Sequence, residues 1–252
     1  MLKLLKYLKK SAFSMVIIVA LLVAQAMCDL ALPDYTSKIV NVGIQQGGIE
    51  YAVPEVVRES TMEKLELFIP SSDQELVKNS YTLLERETLS EKEYGSYQEK
   101  YPLLESEPLY VLKEDADIQT LEPVMSKALM AVSTLSGDSE DSQAIRDQML
   151  SGMPSGSLPE GMDLFQLLAM MPQEQLDQMV QKMDETLSQM PESILQQSAI
   201  PAISQEYQAI GVDTGRLQTN YLLLSGAKML GVAFLSMAAA IAVGFLASRV
   251  AA

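Results

Sequence analysis

Carboxylates dominate the reactive side chains of this 252-residue sequence, which has 33 Asp and Glu, one Cys, and no His or Trp. Without histidine there is no Ser/His/Asp triad, no Cys/His dyad and no imidazole-ligated metal. The lone cysteine, Cys28, makes neither an intramolecular disulfide nor a CxxC site. No G-x-x-x-x-G-K-[ST] phosphate loop occurs, so the chain has no means of binding and hydrolysing ATP in that way. One carboxylate stands apart from the rest: Asp29 lies near the end of an apolar stretch, where an acid marks a partner or a wet cavity. Met179, Met183 and Met190 repeat at helical spacing and would offer soft ligands to copper or a groove for flexible apolar ligands. That spacing is also what any buried helix face shows, and methionine fills gaps well, so packing is the favoured reading. The scattered remaining acids read as solvated helix faces.

Two apolar runs must position Asp29 and whatever faces it. The first, Ala12 to Leu32, is 21 residues interrupted only by Ser14, Gln25 and Asp29. At about 1.5 Å per residue it reaches roughly 31 Å as a helix, the thickness of a bilayer's hydrocarbon core. Lys3, Lys6, Lys9 and Lys10 alternate with Leu2, Leu4, Leu5 and Leu8 before it, the pattern of a short helix lying on a membrane surface or of a plain basic flank. The second run, Met229 to Ala247, has no charge for 19 residues and is followed by Arg249. A cleaved signal peptide is the competing account of the first run, since Ala24-Gln25-Ala26 makes an A-x-A tripeptide. Against it, apolar residues continue through Leu30, Ala31 and Leu32, and Met27 does not suit lipid attachment at Cys28.

Charge divides the chain in the same way. The formal charge is −15 overall, but residues 1–28 carry four Lys and no acid, and residues 220–252 carry Lys228 and Arg249 and no acid. The middle therefore holds all 33 acids against 12 basic residues, a net −21. Basic flanks stay in the cytoplasm, which predicts both termini inside the cell and residues 47–211 outside. So acidic a middle argues against nucleic acid and anionic lipid surfaces as its partners.

Within the first span Ala20, Ala24 and Cys28 form a stripe of small side chains. In the second, Ser236, Ala240, Gly244 and Ser248 form one edge and Ala227 with Gly231 another. Two such edges imply more than one neighbouring helix. Lys228 lies about a turn from the outer boundary and reaches the interface along its own stem. The first helix is expected to continue past Pro33, bent there, to Ile44.

The middle is too long and too well patterned for a loop. Pro54 suits a first helical turn, with Val57, Thr61, Leu65 and Phe68 on one face. Ser72 with Glu75, and Ser90 with Glu93, are capping-box patterns. Tyr81 to Leu84 and Leu109 to Leu112 are short apolar runs that suit two small strands. A helical stripe runs from Asp117 through Leu121, Val124, Met125, Ala128, Leu129 and Val132. Gly137 to Ser142 and Gly152 to Gly161 read as loops. Pro172 to Met190 is the strongest helix of this region, with Leu176, Met179, Val180, Met183, Leu187 and Met190 on one face. A last helix, Glu192 to Ile210, is interrupted at Pro201 and stopped by Gly211, and Asp213 or Thr214 caps the second long helix.

The two ends together resemble a known family. The basic lead, the first span, Asp29-Leu30 before Leu32-Pro33, and Ile39-Val40-Asn41 before Gly43-Ile44 are similar to the amino terminus of bacterial ABC exporter subunits of the multidrug type. Gly211-Val212-Asp213-Thr214, Leu217-Gln218 and the Gly244 to Ala252 end resemble that family's second transmembrane helix. About 80 residues carry the likeness, through helix and boundary patterns rather than catalytic ones. The resemblance implies an elbow helix at residues 1–11, a first transmembrane helix with an outer extension at 12–46, and a second transmembrane helix at 212–252. It further implies partners: membrane lipid, four more spans and a nucleotide-binding domain using ATP and Mg²⁺, and a second half-transporter, as a heterodimer. Two departures stand out. About 165 residues separate spans that the family commonly joins by a short loop, and the phosphate loop is missing, so no catalytic residue, cofactor site or metal site carries over. Asp29 is the one residue placed on a translocation path.

The expected fold is therefore mainly α: two long transmembrane helices and an inserted, mostly helical extracytoplasmic domain with a small two-stranded β element. On the exporter reading the sequence is the amino-terminal part of a longer subunit, whose outer domain covers the gate or contacts substrate or a partner. The alternative is a two-span receptor or polysaccharide chain-length regulator. A receptor needs a signalling segment after the second span, and regulators of that kind usually have a proline-rich second span, whereas Met229 to Ala247 has no proline.

Overall fold

The computed structural model describes residues 2–137, 140–151 and 163–251. It is mainly helical and divides into two compact units, one formed by Met1–Gly48 with Gly215–Ala252, the other by Ile49–Thr214.

Two long helices make up the first unit. Helix α1 spans Leu2–Lys38 and runs without a break into a π-helix at Ile39–Gln45. The residues expected as a separate elbow are thus helical but continuous with the apolar run, as no Gly or Pro lies between Leu2 and Leu32 to interrupt the winding. Pro33 sits inside α1, and the winding changes beyond it, at Ile39. Gly47 and Gly48, both at positive φ, then end the helix. Both long helices, Phe13–Gln45 and Thr214–Val250, are long and apolar enough to cross a membrane.

The second unit is built on a three-stranded antiparallel sheet in the order β1-β3-β2, with β1 at Val56–Arg58, β2 at Tyr81–Leu84 and β3 at Leu109–Leu112. The two strands read from sequence pair in register, Tyr81 with Leu112 and Leu84 with Leu109. The third corrects the helix expected from Pro54. Val56 and Val57 are β-branched and fully buried, pairing with Val111 and Tyr110, and helix α2 starts only at Glu59 (Glu59–Glu66). Helix α3 (Gln74–Ser80) is a second correction. Its N-cap is Asp73 with no side-chain cap, so the Ser72–Glu75 box does not form. Helix α4 (Glu91–Lys100) does carry the Ser90–Glu93 box, with reciprocal bonds of 3.4 and 3.1 Å.

Helix α5 (Ile118–Ser136) is capped by Asp117 and buries Leu121, Met125, Ala128, Leu129 and Val132, the stripe its sequence displays. Helix α6 (Glu140–Ser151) begins inside the stretch expected as a loop from Gly137. The Gly152–Gly161 loop lies outside the described residues. After α7 (Leu164–Ala169), α8 (Gln173–Leu187) buries Leu176 and Val180 and half-buries Met179, Met183 and Leu187; it stops short of the expected end at Met190, which is half-buried in the turn that follows, so these methionines are packing residues at the edge of the core. Helix α9 (Glu192–Ile210) passes through Pro201 uninterrupted and ends at Gly211, whose φ of 85° is the left-handed cap conformation. It packs along α5 and against β1, enclosing Val57, Leu109, Met125 and Ile203. The second long helix, α10, covers Thr214–Ala251.

Candidate functional site

Asp29 is joined to α10. Its Oδ1 accepts a hydrogen bond of 2.6 Å from Ser236 Oγ, across 207 residues of sequence. Ser236 is buried and Asp29 is exposed on its other sides. Pro33 lies four residues on and has no N–H, so the Asp29 carbonyl also lacks its intrahelical donor. Residue 29 therefore concentrates two under-used acceptors within an apolar helix. Such groups do not face hydrocarbon without a donor, ion or water, because each unsatisfied one costs several kcal/mol there.

A second junction fixes the ends of the same pair. The Gln218 carboxamide donates to the Gly43 carbonyl at 2.8 Å. Gly48 lies against the backbone of α10, where a Cβ would come within 2.9 Å of Gln218 Cα. Together with Asp29–Ser236, these contacts run α1 and α10 antiparallel. Of the small-residue stripes, Ser236 alone is buried. Ala20, Ala24, Ala227, Gly231, Ala240, Gly244 and Ser248 are exposed, and a Cβ on Gly231 or Gly244 would meet nothing within 4 Å. Phe13, Leu22, Leu30, Phe234, Ile241 and Phe245 are exposed beside them. Apart from Ser236, which faces Asp29, and the half-buried Cys28, these small residues point away from the helix partner this chain supplies.

Protein-family models, curated proteins and solved structures give no match to this chain. Its chemistry has to be read from its own geometry.

The Ile49–Thr214 unit has a buried polar centre of its own. The Glu206 carboxylate, 7% exposed, accepts from Arg58 Nε at 3.0 Å, Arg58 Nη2 at 2.8 Å, the Arg58 backbone N–H at 2.8 Å and Thr61 Oγ1 at 3.0 Å. That bond to Glu206 raises the guanidinium pKa further above its already high ordinary value. Beside it, Tyr81 donates its phenol to the Pro54 carbonyl at 2.9 Å, and the Tyr207 oxygen accepts the Glu55 N–H at 2.8 Å. Burial pushes both phenols well up. These four side chains clamp the segment Pro54–Arg58 to α9 and β2. Among the described residues no group of three or more His, Cys, Asp or Glu is arranged to hold a metal ion.

Asp29 stands out in the sequence, and Ser236 stands out as a small residue but not as its donor. Arg58 and Glu206 do not stand out as a pair. Their separation in the chain hides the pairing, and the one local signal was a glutamate on the apolar side of an otherwise uncharged helix turn, between Ile203 and Ile210.

Proposed function

We propose that this chain is the amino-terminal part of the membrane domain of an ABC-type exporter subunit, with α1 and α10 as its first two spans. The observation that carries the reading is the antiparallel pair itself: two apolar helices, tied through Asp29–Ser236, with most of their other small residues turned outward. Outward small residues on both helices call for further helices packed against them. The likeness of both ends to that exporter family supplies the identity of the assembly.

In this arrangement lipid and four further spans cover the exposed faces, and the acidic Ile49–Thr214 domain is extracellular, where it serves as a lid or contacts substrate or a partner protein. Asp29 lies on the translocation path, its carboxylate held at one oxygen by Ser236 and open at the other. ATP and Mg²⁺ belong to a nucleotide-binding domain, since this chain has no phosphate loop to hold them. The second half-transporter is expected to be a different subunit.

Reading the coding sequence beyond Ala252 tests the proposal. Four more apolar spans followed by G-x-x-x-x-G-K-[ST] are expected; a cytoplasmic pair of signalling helices in their place would favour the two-span receptor.

A further inference from the structure

The folded domain holds a cavity of about 370 Å³ between α2, α5 and α9. Its volume falls at the low end of the range for small-molecule pockets, roughly 300–1,000 Å³. Val57, Leu129 and Ile203 form an apolar floor and are fully or almost fully buried. Ser133, Ser136 and Gln205 add uncharged hydrogen-bonding groups.

The charges at the cavity set what it takes. Glu206 lines it, but both carboxylate oxygens already accept two hydrogen bonds each, so this acid has no acceptor left for a ligand. Arg58 gives Glu206 its Nε–H and one N–H of Nη2. Three of its five side-chain donors remain, and its side chain is 32% exposed. Lys64 also lines the cavity; its ammonium stands 4.9 Å from the centre of the Phe165 ring and makes no ion pair with a described residue. Arg58 offsets Glu206, so Lys64 leaves the cavity lining with one net positive charge, Glu107 being the next acid that acts on Arg58, within a region of the chain that is net −21. A guanidinium fork with free donors, an ammonium, an apolar floor, the Ser136 hydroxyl and the acceptor side of Ser133, whose own hydrogen goes to the Met130 carbonyl, are the complement of a carboxylate attached to an apolar residue.

We infer that this cavity binds the carboxylate end of a small apolar peptide or N-acyl amino acid. The carboxylate sits between Arg58 and Lys64, the apolar side chain on Val57, Leu129 and Ile203, and the amide by Ser133 and Ser136. The inference does not depend on the exporter reading, because it concerns the Ile49–Thr214 unit alone.

Titration calorimetry on the full chain in lipid nanodiscs, with empty nanodiscs as blank, tests it using three probes. These are N-acetyl-leucine, N-acetyl-leucinamide, and a soluble hexapeptide with a free carboxyl-terminal leucine. Saturable binding of N-acetyl-leucine with Kd below about 1 mM is expected, with the amide at least tenfold weaker. Equal affinity for the hexapeptide would assign peptide ends as the source, and preference for the small acid would assign free N-acyl amino acids. Lys64→Gln is expected to weaken the acid about tenfold and Lys64→Arg to restore it; raising salt weakens it as well. Ala209→Trp, an exposed position on the rim, is expected to abolish binding without touching the core. Equal binding of acid and amide, absence of saturable binding for all three probes, or unchanged affinity in both Lys64→Gln and Ala209→Trp would overturn the inference.

Discussion

Single residues carry the two junctions between α1 and α10, and they differ in kind. Asp29–Ser236 is a side-chain hydrogen bond in an apolar setting, where such bonds are worth about 0.6–2 kcal/mol. A double-mutant cycle of Asp29→Ala and Ser236→Ala, read from thermal unfolding in detergent, is expected to give a coupling within that range. Independent, additive effects would mean the two side chains do not interact. Gly48 is a backbone matter. At a φ of 86° and with Gln218 Cα in the way, an added methyl has neither an allowed conformation nor room, so Gly48→Ala is expected to cost about 1–3 kcal/mol in the same assay. At Gly43 the added methyl would meet the end of the Leu222 side chain, which can move aside, so Gly43→Ala is expected to cost less. Asp29 was legible in the sequence because an acid in an apolar run is conspicuous. Ser236 was legible only as a small residue, since nothing local tells a serine which carboxylate it will face.

At the scale of elements, local chemistry was readable where a motif closes on itself and unreadable where distant chain decides. Ser90 and Glu93 form their capping box because both partners sit at the right spacing with an open turn before them. Ser72 and Glu75 have the same spacing, yet the helix starts at Gln74 and leaves Ser72 outside it. Ser90→Ala is therefore expected to lower the stability of the domain by about 1 kcal/mol in chemical denaturation, and Ser72→Ala to leave it unchanged. The Ser90 hydroxyl and backbone N–H hold the Glu93 carboxylate below its ordinary range. That contribution is complete above the unfolded value and disappears as pH falls through the lower folded one. Strand β1 was misread because Pro54, Val57, Thr61 and Leu65 also suit a helix face; β3, more than fifty positions away, supplies the pairing that makes it a strand. The Arg58–Glu206 pair then holds β1 to α9. Glu206→Ala would strand the guanidinium and is expected to cost about 3 kcal/mol, the low end for a buried pair because Arg58 is partly exposed.

Across the whole molecule, two apolar helices and one acidic domain have separate demands, and the sequence showed the division through its charges long before any single contact. The folded domain has no disulfide, so its core and its buried phenols hold it together. Tyr81 and Tyr207 stay protonated when folded, at pH values where free phenols ionise. Their contribution is complete below about pH 10 and is lost as pH rises past it, because the unfolded chain then binds fewer protons. A spectroscopic titration of the ten tyrosines is expected to leave these two silent until the domain unfolds. The proposed function requires that α1 and α10 cross a bilayer as a hairpin, with both ends on one side and the Ile49–Thr214 domain on the other. The most direct test replaces Cys28 by serine and introduces single cysteines in turn at Ser11, Glu91 and Ser248. Each variant is then labelled in intact cells with a membrane-impermeant maleimide. Labelling at position 91 alone, with 11 and 248 reacting only after lysis, is the predicted result; labelling of 11 or 248 in intact cells, or protection of 91, would contradict it.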